Sequence, residues 1–329
     1  MMTTDLIKNT TAVVEHLITL LCEGFENPNG RSSTIDLRLV GSSVPKLAVK
    51  MGKSLMVYDS ARNEPADATV TINLPTIQAL LDEQPGGGFA GFGDVRVTGD
   101  PDAARHLLQS ALRPSPRTLA RFRQAERQHR ASGYRRQTRI AVLRDPTQRR
   151  LLEAMDCSEP LLVTGFASTL AERRAALDCA AGEQRQHLCL SDPVIPDAPL
   201  PDDLAPTFSP PFFGPQEYET ARMSRWNLHN PKQSSGPYRC ASAAFHMLLD
   251  GHVQADLYSA DQADLLAPMK SFRVRQPCWA APIYGGAIEG SAISLELDPG
   301  DMLLVQTGWF QHIHALDRSA LSICYHWRY

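Results

Sequence analysis

The 329-residue chain contains no apolar run close to the roughly 18 to 20 residues that a membrane-spanning helix needs. Its first ten residues also lack a basic stretch followed by an apolar core, which is the pattern of a secretion signal. These two absences predict a cytoplasmic protein without an integral membrane span.

A cysteine framework is also missing. The seven cysteines are odd in number, widely spread and without a Cys-x-x-Cys pair, a pattern that argues against paired disulfides and against a structural zinc site. We therefore expect reduced, mostly buried thiols.

Lysine is scarce, and the positive charge is concentrated in one place. Between Arg113 and Arg150, twelve arginines oppose only two acids, Glu126 and Asp145, although the whole chain carries a net charge of −3. This segment has a charge of about +10, so the rest of the chain is strongly acidic. We interpret residues 114–157 as an arginine-rich helical connector. It is either a solvated helix that docks on the acidic domains beside it, or an arm that binds an anionic surface or an acidic protein.

The first 113 residues show the pattern of an α+β domain. An apolar stripe predicts a helix over 5–24, and alternation of Thr and Val predicts a strand over 68–72. Further short strands are expected at 34–40, 46–49, 54–58 and 94–98, and a helix at 75–82. Asp100 followed by Pro101 is typical of a helix start, so a last helix is expected to run to about Leu112.

This order of elements, with Ala68-Thr69-Val70-Thr71-Ile72 and Val95-Arg96-Val97-Thr98-Gly99-Asp100-Pro101, resembles the sterol-carrier-protein-2-like fold. The resemblance covers about residues 5–113. It implies an apolar tunnel for a hydrophobic small molecule or an acyl chain, and Phe89 and Phe92 are candidate ligand contacts. On the residues alone, a plain core role is favoured over ligand contact for both phenylalanines.

The chain beyond residue 157 is dominated by short strands. We expect them at 159–166, 242–249, 253–258, 271–275, 292–297, 301–305 and 320–327, separated by turns such as Asp298-Pro299-Gly300-Asp301. Closely spaced strands of this kind predict an antiparallel barrel or jelly roll over residues 158–329.

The segment from Leu297 to Ile313 resembles the Pro-Gly-Asp strand and Gly-Trp-Trp-His turn of cupin-like Jumonji-C oxygenases, which fold as a double-stranded β-helix. Active members of that family hold Fe(II) with His-x-Asp/Glu and a distal His, and pair 2-oxoglutarate with a Lys. In the register set by Leu249-Asp250-Gly251, these positions fall at Tyr238, Cys240, Gln311 and Val253. All four are altered, so this register predicts no metal site and no cofactor.

Other residues would still allow an iron site in a different register. An insertion would let His229 serve in the early pair, and an inward-turned His312 would replace Gln311. Strand alternation argues against the second option, because it places His312 and His314 on the face opposite Gln311. His312 and His314 have metal-ligand spacing and His246 lies in the central strand, so these three and His229 are weak metal candidates.

Tyr238, Cys240, His246, Gln311, Tyr325 and Trp327 form a polar and aromatic set that suits a small organic ligand inside the barrel. The first four are also the candidates for a catalytic role. A nearby Arg239 would favour a nucleophilic Cys240 thiolate, but no Cys-His-Asn order can be traced in the sequence.

Three functions remain open. The leading hypothesis is binding or presentation of a hydrophobic small molecule or a carrier-bound chain in a biosynthetic pathway, by a barrel without the usual iron and 2-oxoglutarate residues. The second is a non-heme iron oxygenase with unconventional ligands that hydroxylates a lipophilic substrate, with Fe(II) as its cofactor. The third is docking on an anionic surface through residues 113–150. A homo-oligomer is compatible with all three.

Overall fold

The computed structural model describes the chain in separate ranges. Within these ranges, the backbone alone is described for residues 2–11, 59, 79–80, 131, Ser224–His229, 323 and 325–327. The described ranges are 2–42, 44, 46–59, 65–81, 95–131, 140–144, 147, 149–150, 153, 159–166, 224–229, 236–272, 275–282, 286–288, 291–316 and 320–327.

The chain divides into two compact units. Of the described residues, those within Met1–Ser115 and Met269–Ala287 form the first unit, and those within Pro116–Leu188, Asp192–Pro268 and Ile288–Tyr329 form the second. Two features differ from the expected division into domains. The arginine-rich helix groups with the second unit, and residues 269–287 group with the first.

Unit 1 is an α+β structure with one mixed sheet in the order β3-β2-β1-β4-β5. Strands β1 and β4 are parallel, and the other neighbours are antiparallel. The strands are β1 (Ser33–Val40), β2 (Lys46–Met51), β3 (Leu55–Asp59), β4 (Ala68–Asn73) and β5 (Arg96–Gly99). The helices are α1 (Met2–Gly24), α2 (Leu74–Leu81) and α3 (Pro101–Ser110).

The sequence pattern explains how unit 1 packs. Alternate residues of β1 and β4 are buried, and they join one apolar core with Leu17 and Leu21 of α1 and Leu107 of α3. Asp100 is the N-cap of α3, because its Oδ1 accepts hydrogen bonds from the backbone N–H groups of Asp102 and Ala103 at 2.9 and 3.2 Å. The helix start and the strand alternation predicted from the sequence are therefore present.

Residues 269–287 pack on unit 1 instead of continuing the predicted strand pattern. The expected strand at 271–275 was wrong in its position, because the strand there is β12 (Arg275–Pro277). The Ser271 carbonyl accepts a hydrogen bond from Gln109 at 2.6 Å, and the Ser271 hydroxyl donates to the Gly24 carbonyl at 2.7 Å. These polar groups are thus used by α1 and α3.

Unit 2 is mainly β structure. One sheet has the order β6-β7-β14-β10-β16-β8, and another contains β9-β15-β11-β13. All pairs are antiparallel except β6 with β7. The strands are β6 (Ala141–Arg144), β7 (Leu161–Thr164), β8 (Ser224–His229), β9 (Tyr238–Cys240), β10 (Ala243–Asp250), β11 (Val253–Tyr258), β13 (Ile293–Leu297), β14 (Met302–Val305), β15 (Phe310–Ala315) and β16 (Ala320–Trp327).

Side chains from both sheets meet in one core. Leu248 and Leu303 come from the first sheet, and Val253, Ala255 and Leu257 come from the second. The turn before β14 is held by Asp301, whose carboxylate accepts from the N–H groups of Gly165 at 3.0 Å and Asp298 at 3.1 Å. The predicted Asp-Pro-Gly-Asp turn therefore joins β13 and β14, with Gly300 at a φ of 97°.

Helix α4 (Pro116–Ala131) packs against this β structure. Its Phe122, Ala125 and His129 are buried. Glu126 accepts a hydrogen bond from the buried Arg239 at 2.6 Å, and the Arg239 guanidinium lies 4.2 Å from the centre of the Phe122 ring. One face of the arginine-rich helix therefore belongs to the core of unit 2. A short 3₁₀ turn, Ala260–Gln262, and α5 (Ala263–Leu266) follow β11.

Candidate functional site

A polar cluster lies between the two sheets of unit 2. Strands β10 and β16 place His246 beside Cys324, and β9 and β15 place Tyr238 beside Gln311. Because side chains alternate along a strand, Cys240 lies on the same face as Tyr238. All five residues are buried. Four of the six residues predicted to line the barrel are thus brought together, and Cys324 joins them.

One hydrogen bond connects the two sheets within this cluster. His246 Nε2 and Gln311 Oε1 are 2.8 Å apart. An amide oxygen can only accept, so Nε2 carries the proton. Gln311 Nε2 lies 3.9 Å from Cys240 Sγ, and Cys324 Sγ lies 3.8 Å from His246 Nε2. The groups therefore form a connected set in which the polar atoms of Gln311 face His246 and Cys240.

This cluster does not fit the Fe(II) and 2-oxoglutarate site that the Jumonji-C resemblance implies. The ligand positions carry a phenol, a thiol and an amide, and the amide oxygen is already used by His246. Open Fe(II) sites are built from two imidazoles and a carboxylate. Val253, at the lysine position, is 1% exposed in the apolar core and has no charge to pair with a carboxylate.

A second group of metal-ligating side chains lies on the other face of β15. Alternation directs Gln311 inward and His312 and His314 to the opposite face, where Asp256 of β11 pairs directly with His312. One ligand atom from each of Asp256, His312 and His314 can be chosen so that all three lie within 4.8 Å of one another. The sequence indicated the two histidines, but it could not indicate their carboxylate partner.

The histidine pair is partly enclosed. Only 11% of the His312 side chain and 13% of the Asp256 side chain are exposed, and His312 Nδ1 lies 3.7 Å from Asp256 Oδ2. Burial, followed by the neighbouring His314, lowers the pKa of His312 to about 4, although the Asp256 charge acts in the opposite direction. His312 is therefore a neutral imidazole at neutral pH, which is the form that binds metals.

The side chains of five other predicted site residues lie outside the part of the chain that the structure describes. Phe89 and Phe92 lie outside the described residues. His229, Tyr325 and Trp327 lie in β8 and β16, but their side chains are outside the description. The roles assigned to these five residues therefore remain predictions.

The arginines of α4 are divided between two environments. Arg117, Arg123, Arg127 and Arg130 are exposed, whereas Arg121 is partly buried and donates to the Ala241 carbonyl at 3.3 Å. The helix thus offers a basic outer face, and the partner of that face remains a prediction. No described helix combines the length and apolar character that crossing a membrane requires.

Comparison with known proteins identifies no family. No protein-family model matches the chain, and no curated protein matches it. YcfD, a ribosomal oxygenase from Escherichia coli, is 18% identical over 32% of this chain and 22% of its own, with a TM-score of 0.22. The hydroquinone 1,2-dioxygenase PnpCD is 17% identical over 32% of this chain and 58% of its own, with a TM-score of 0.23.

The solved structures that match this chain also include a protein that is not named as an oxygenase. Drosophila melanogaster CENP-C bound to CAL1 is 12% identical over 32% of this chain and 64% of the other, with a TM-score of 0.21. The match therefore spans less than two thirds of each of these three chains. Likenesses this distant carry no argument about fold or function, so any functional conclusion depends on the residues of this chain.

Proposed function

We propose that this protein binds a hydrophobic small molecule or a carrier-bound chain, and that its cupin-like barrel does so without Fe(II) and 2-oxoglutarate at the interior position. The observation that carries the proposal is the 2.8 Å hydrogen bond between His246 and Gln311, because the Jumonji-C resemblance assigns the distal iron ligand to position 311. A glutamine that accepts from a neighbouring imidazole stabilises the barrel interior but does not supply an iron ligand set.

The topology of both units supports this proposal. Two mainly antiparallel sheets that share one core are the arrangement of a double-stranded β-helix. In unit 1, the order β3-β2-β1-β4-β5 with β1 parallel to β4, and three helices joined to one core, agrees with a sterol-carrier-like fold. A ligand held by unit 1 would belong to the apolar or acyl class, with Phe89 and Phe92 as its proposed contacts.

Analysis of the purified full-length protein tests this function. We expect native mass spectrometry to detect a copurified apolar ligand, and we expect no 2-oxoglutarate consumption after addition of Fe(II). Phe92→Asp should reduce the retained ligand several-fold, whereas the exposed-strand variant Met56→Gln should leave it unchanged. Stoichiometric turnover of 2-oxoglutarate, or the absence of any apolar ligand, would reject the proposal.

A metal-dependent oxygenase with unconventional ligands is the second candidate. The observation that favours it is the group Asp256, His312 and His314, which has the two-imidazole, one-carboxylate composition of open Fe(II) sites. This candidate predicts oxygen consumption that depends on added Fe(II) and a lipophilic substrate. The activity should disappear in Asp256→Asn, and its persistence in that variant would contradict this assignment.

A further inference from the structure

We infer that Asp256, His312 and His314 bind a divalent transition-metal ion on the face of the β11–β15 sheet that points away from the barrel interior. This site is separate from the interior positions implied by the Jumonji-C resemblance, and it does not depend on the proposed ligand-binding function. Two imidazole nitrogens and one carboxylate oxygen suit Zn²⁺, Fe²⁺, Co²⁺ or Ni²⁺ better than Mg²⁺ or Ca²⁺, which favour ligand sets made of oxygen.

The strand register places the three side chains together. His312 lies directly opposite Asp256 in the antiparallel pair β11–β15, and His314 lies opposite Gln254 on the same face. Directly opposed side chains have Cβ atoms about 4.5 to 5.5 Å apart, so a long side chain on each strand can reach a shared ion. Both strands are central in their sheet, which fixes the spacing of the ligands.

The Asp256 carboxylate is already oriented for this role. Its Oδ1 accepts hydrogen bonds from Gln254 Nε2 at 2.8 Å and from Ser294 Oγ at 2.6 Å. The other oxygen, Oδ2, faces His312 Nδ1 at 3.7 Å. Hydrogen bonds to the non-ligating oxygen of a carboxylate are a common feature of metal sites, because they hold the ligating oxygen in place.

His314 supplies a nitrogen atom that the described protein groups leave available. His314 Nδ1 is buried and has no hydrogen-bond partner among the described residues. The rings of His312 and His314 are 4.8 Å apart between centroids and tilted by 33°. Two imidazole rings in contact beside one carboxylate bring two nitrogen ligands and one oxygen ligand to one place, a set that suits a transition-metal cation.

The distances require only a small closure. Ligand atoms around one zinc ion lie roughly 3 to 3.5 Å apart, because each is about 2.0 to 2.2 Å from the metal. The three ligand atoms here lie within 4.8 Å of one another, so side-chain shifts of about an ångström complete the set. Three protein ligands leave at least one coordination position open to water or to an exogenous ligand.

The chain contains a matched control for this site. His252 Nδ1 lies 2.9 Å from Asp298 Oδ1, so this pair also joins an imidazole to a carboxylate in unit 2. It differs in two respects. The two side chains are 52% and 76% exposed, and within the described ranges no second histidine joins the pair. His252→Ala therefore removes a histidine–aspartate contact without removing a proposed metal ligand.

Metal titration of the untagged full-length protein tests the inference. After removal of metals with a chelator, we expect one equivalent of Zn²⁺ to bind by calorimetry and Co²⁺ to produce visible ligand-field bands. His314→Ala and Asp256→Asn should each weaken Zn²⁺ binding at least about 100-fold, more than the 10- to 100-fold typical of losing an outer partner of a ligand. His252→Ala should change it less than twofold.

Specific outcomes overturn the inference. These are absence of stoichiometric Zn²⁺ binding in the wild type, or equal binding in wild type, His314→Ala and Asp256→Asn. Equal weakening by His252→Ala would show that any histidine–aspartate contact has the same effect. Circular dichroism of each variant confirms folding, and His314→Gln replaces His314→Ala if the alanine variant is unfolded. Retention of an apolar ligand is measured separately, so the metal site and the proposed binding function can fail independently.

Discussion

At the scale of single residues, the functional chemistry of unit 2 depends on which face of a strand a side chain occupies. Gln311 is 1% exposed and bonds His246, whereas its neighbour His312 lies beside Asp256. Sequence alternation was sufficient to separate these two faces. It was not sufficient to identify Asp256 as the partner of His312, because the pairing of β11 with β15 is a non-local property.

Asp301 is the residue whose polar contacts are most directly testable. Asp301→Ala removes an acceptor shared by the N–H groups of Gly165 and Asp298, both at about 3 Å. We expect a loss of about 3 kcal/mol in the free energy of unfolding, since bonds to charged groups contribute about 1.5 to 3 kcal/mol each. Urea denaturation measures this. The exposed carboxylate of Asp298 is the control, and Asp298→Ala should cost less than about 1 kcal/mol.

A pH dependence is expected from His129. Burial lowers its pKa below the usual 6.5, despite the opposing charges of Asp261 and Glu159. The unfolded chain therefore takes up a proton near pH 6.5 that the folded chain does not. The stabilising effect of a neutral His129 is fully present above that pH and is lost as the pH falls from there through the lower pKa of the folded state.

His129→Leu should accordingly reduce the pH dependence of stability. We expect the difference in urea midpoint between pH 7.5 and 5.5 to become smaller in this variant. It should not vanish, because the pKa values of His106 and His312 are also lowered. An unchanged difference would show that His129 has the same pKa in the folded and unfolded states.

At the scale of elements, α4 shows why charge pattern alone is ambiguous. The sequence predicted its helix and its arginines, and four of these arginines are exposed. The opposite face packs on the β structure through Phe122, Ala125 and Glu126. That face is short and interrupted by polar residues, so its contact with Arg239 could not be derived from periodicity. The helix is both part of the unit 2 core and a basic surface.

The approach of α4 to the turn before β15 depends on a glycine. Gly308 has a φ of 87°, and an added Cβ would lie 2.5 Å from the Ala125 Cβ. We expect Gly308→Ala to destabilise unit 2 by at least about 2 kcal/mol, from backbone strain of about 1 to 2 kcal/mol and the clash with α4. Ala125→Gly in the same chain should recover part of this loss. No recovery in thermal denaturation would mean that the two positions do not contact each other.

At the scale of the whole molecule, the division of the chain is discontinuous. The sequence predicted an N-terminal α+β region and a mainly β region, because helix caps and strand alternation are local signals. It did not predict that residues 269–287 group with unit 1. The contacts of this segment, such as Asn29 Nδ2 with the Trp279 carbonyl at 2.9 Å, join residues 250 positions apart. No local sequence pattern indicates a contact between residues so far apart in the chain.

Trp279→Ala should therefore destabilise unit 1 although it lies far along the chain. The Trp279 ring is 7% exposed and contacts the His106 ring edge-on with centroids 5.0 Å apart. We expect a loss of about 2 to 4 kcal/mol. Hydrogen exchange should become faster in α3 and stay unchanged in β10. The exposed Met56 is the control in unit 1, and equal exchange in α3 of both variants would contradict the prediction.

The alternation of β15 has a consequence for how this barrel can change. A one-residue shift in the pairing of a strand exchanges its two faces. Deleting one residue from the turn Gln306–Trp309 would move His312 into the place of Gln311, beside Tyr238 and Cys240, and His314 would turn to the same inner face. The same six-residue strand thus carries Gln311 on one face and the two histidines on the other, and the length of one turn determines which face points into the interior.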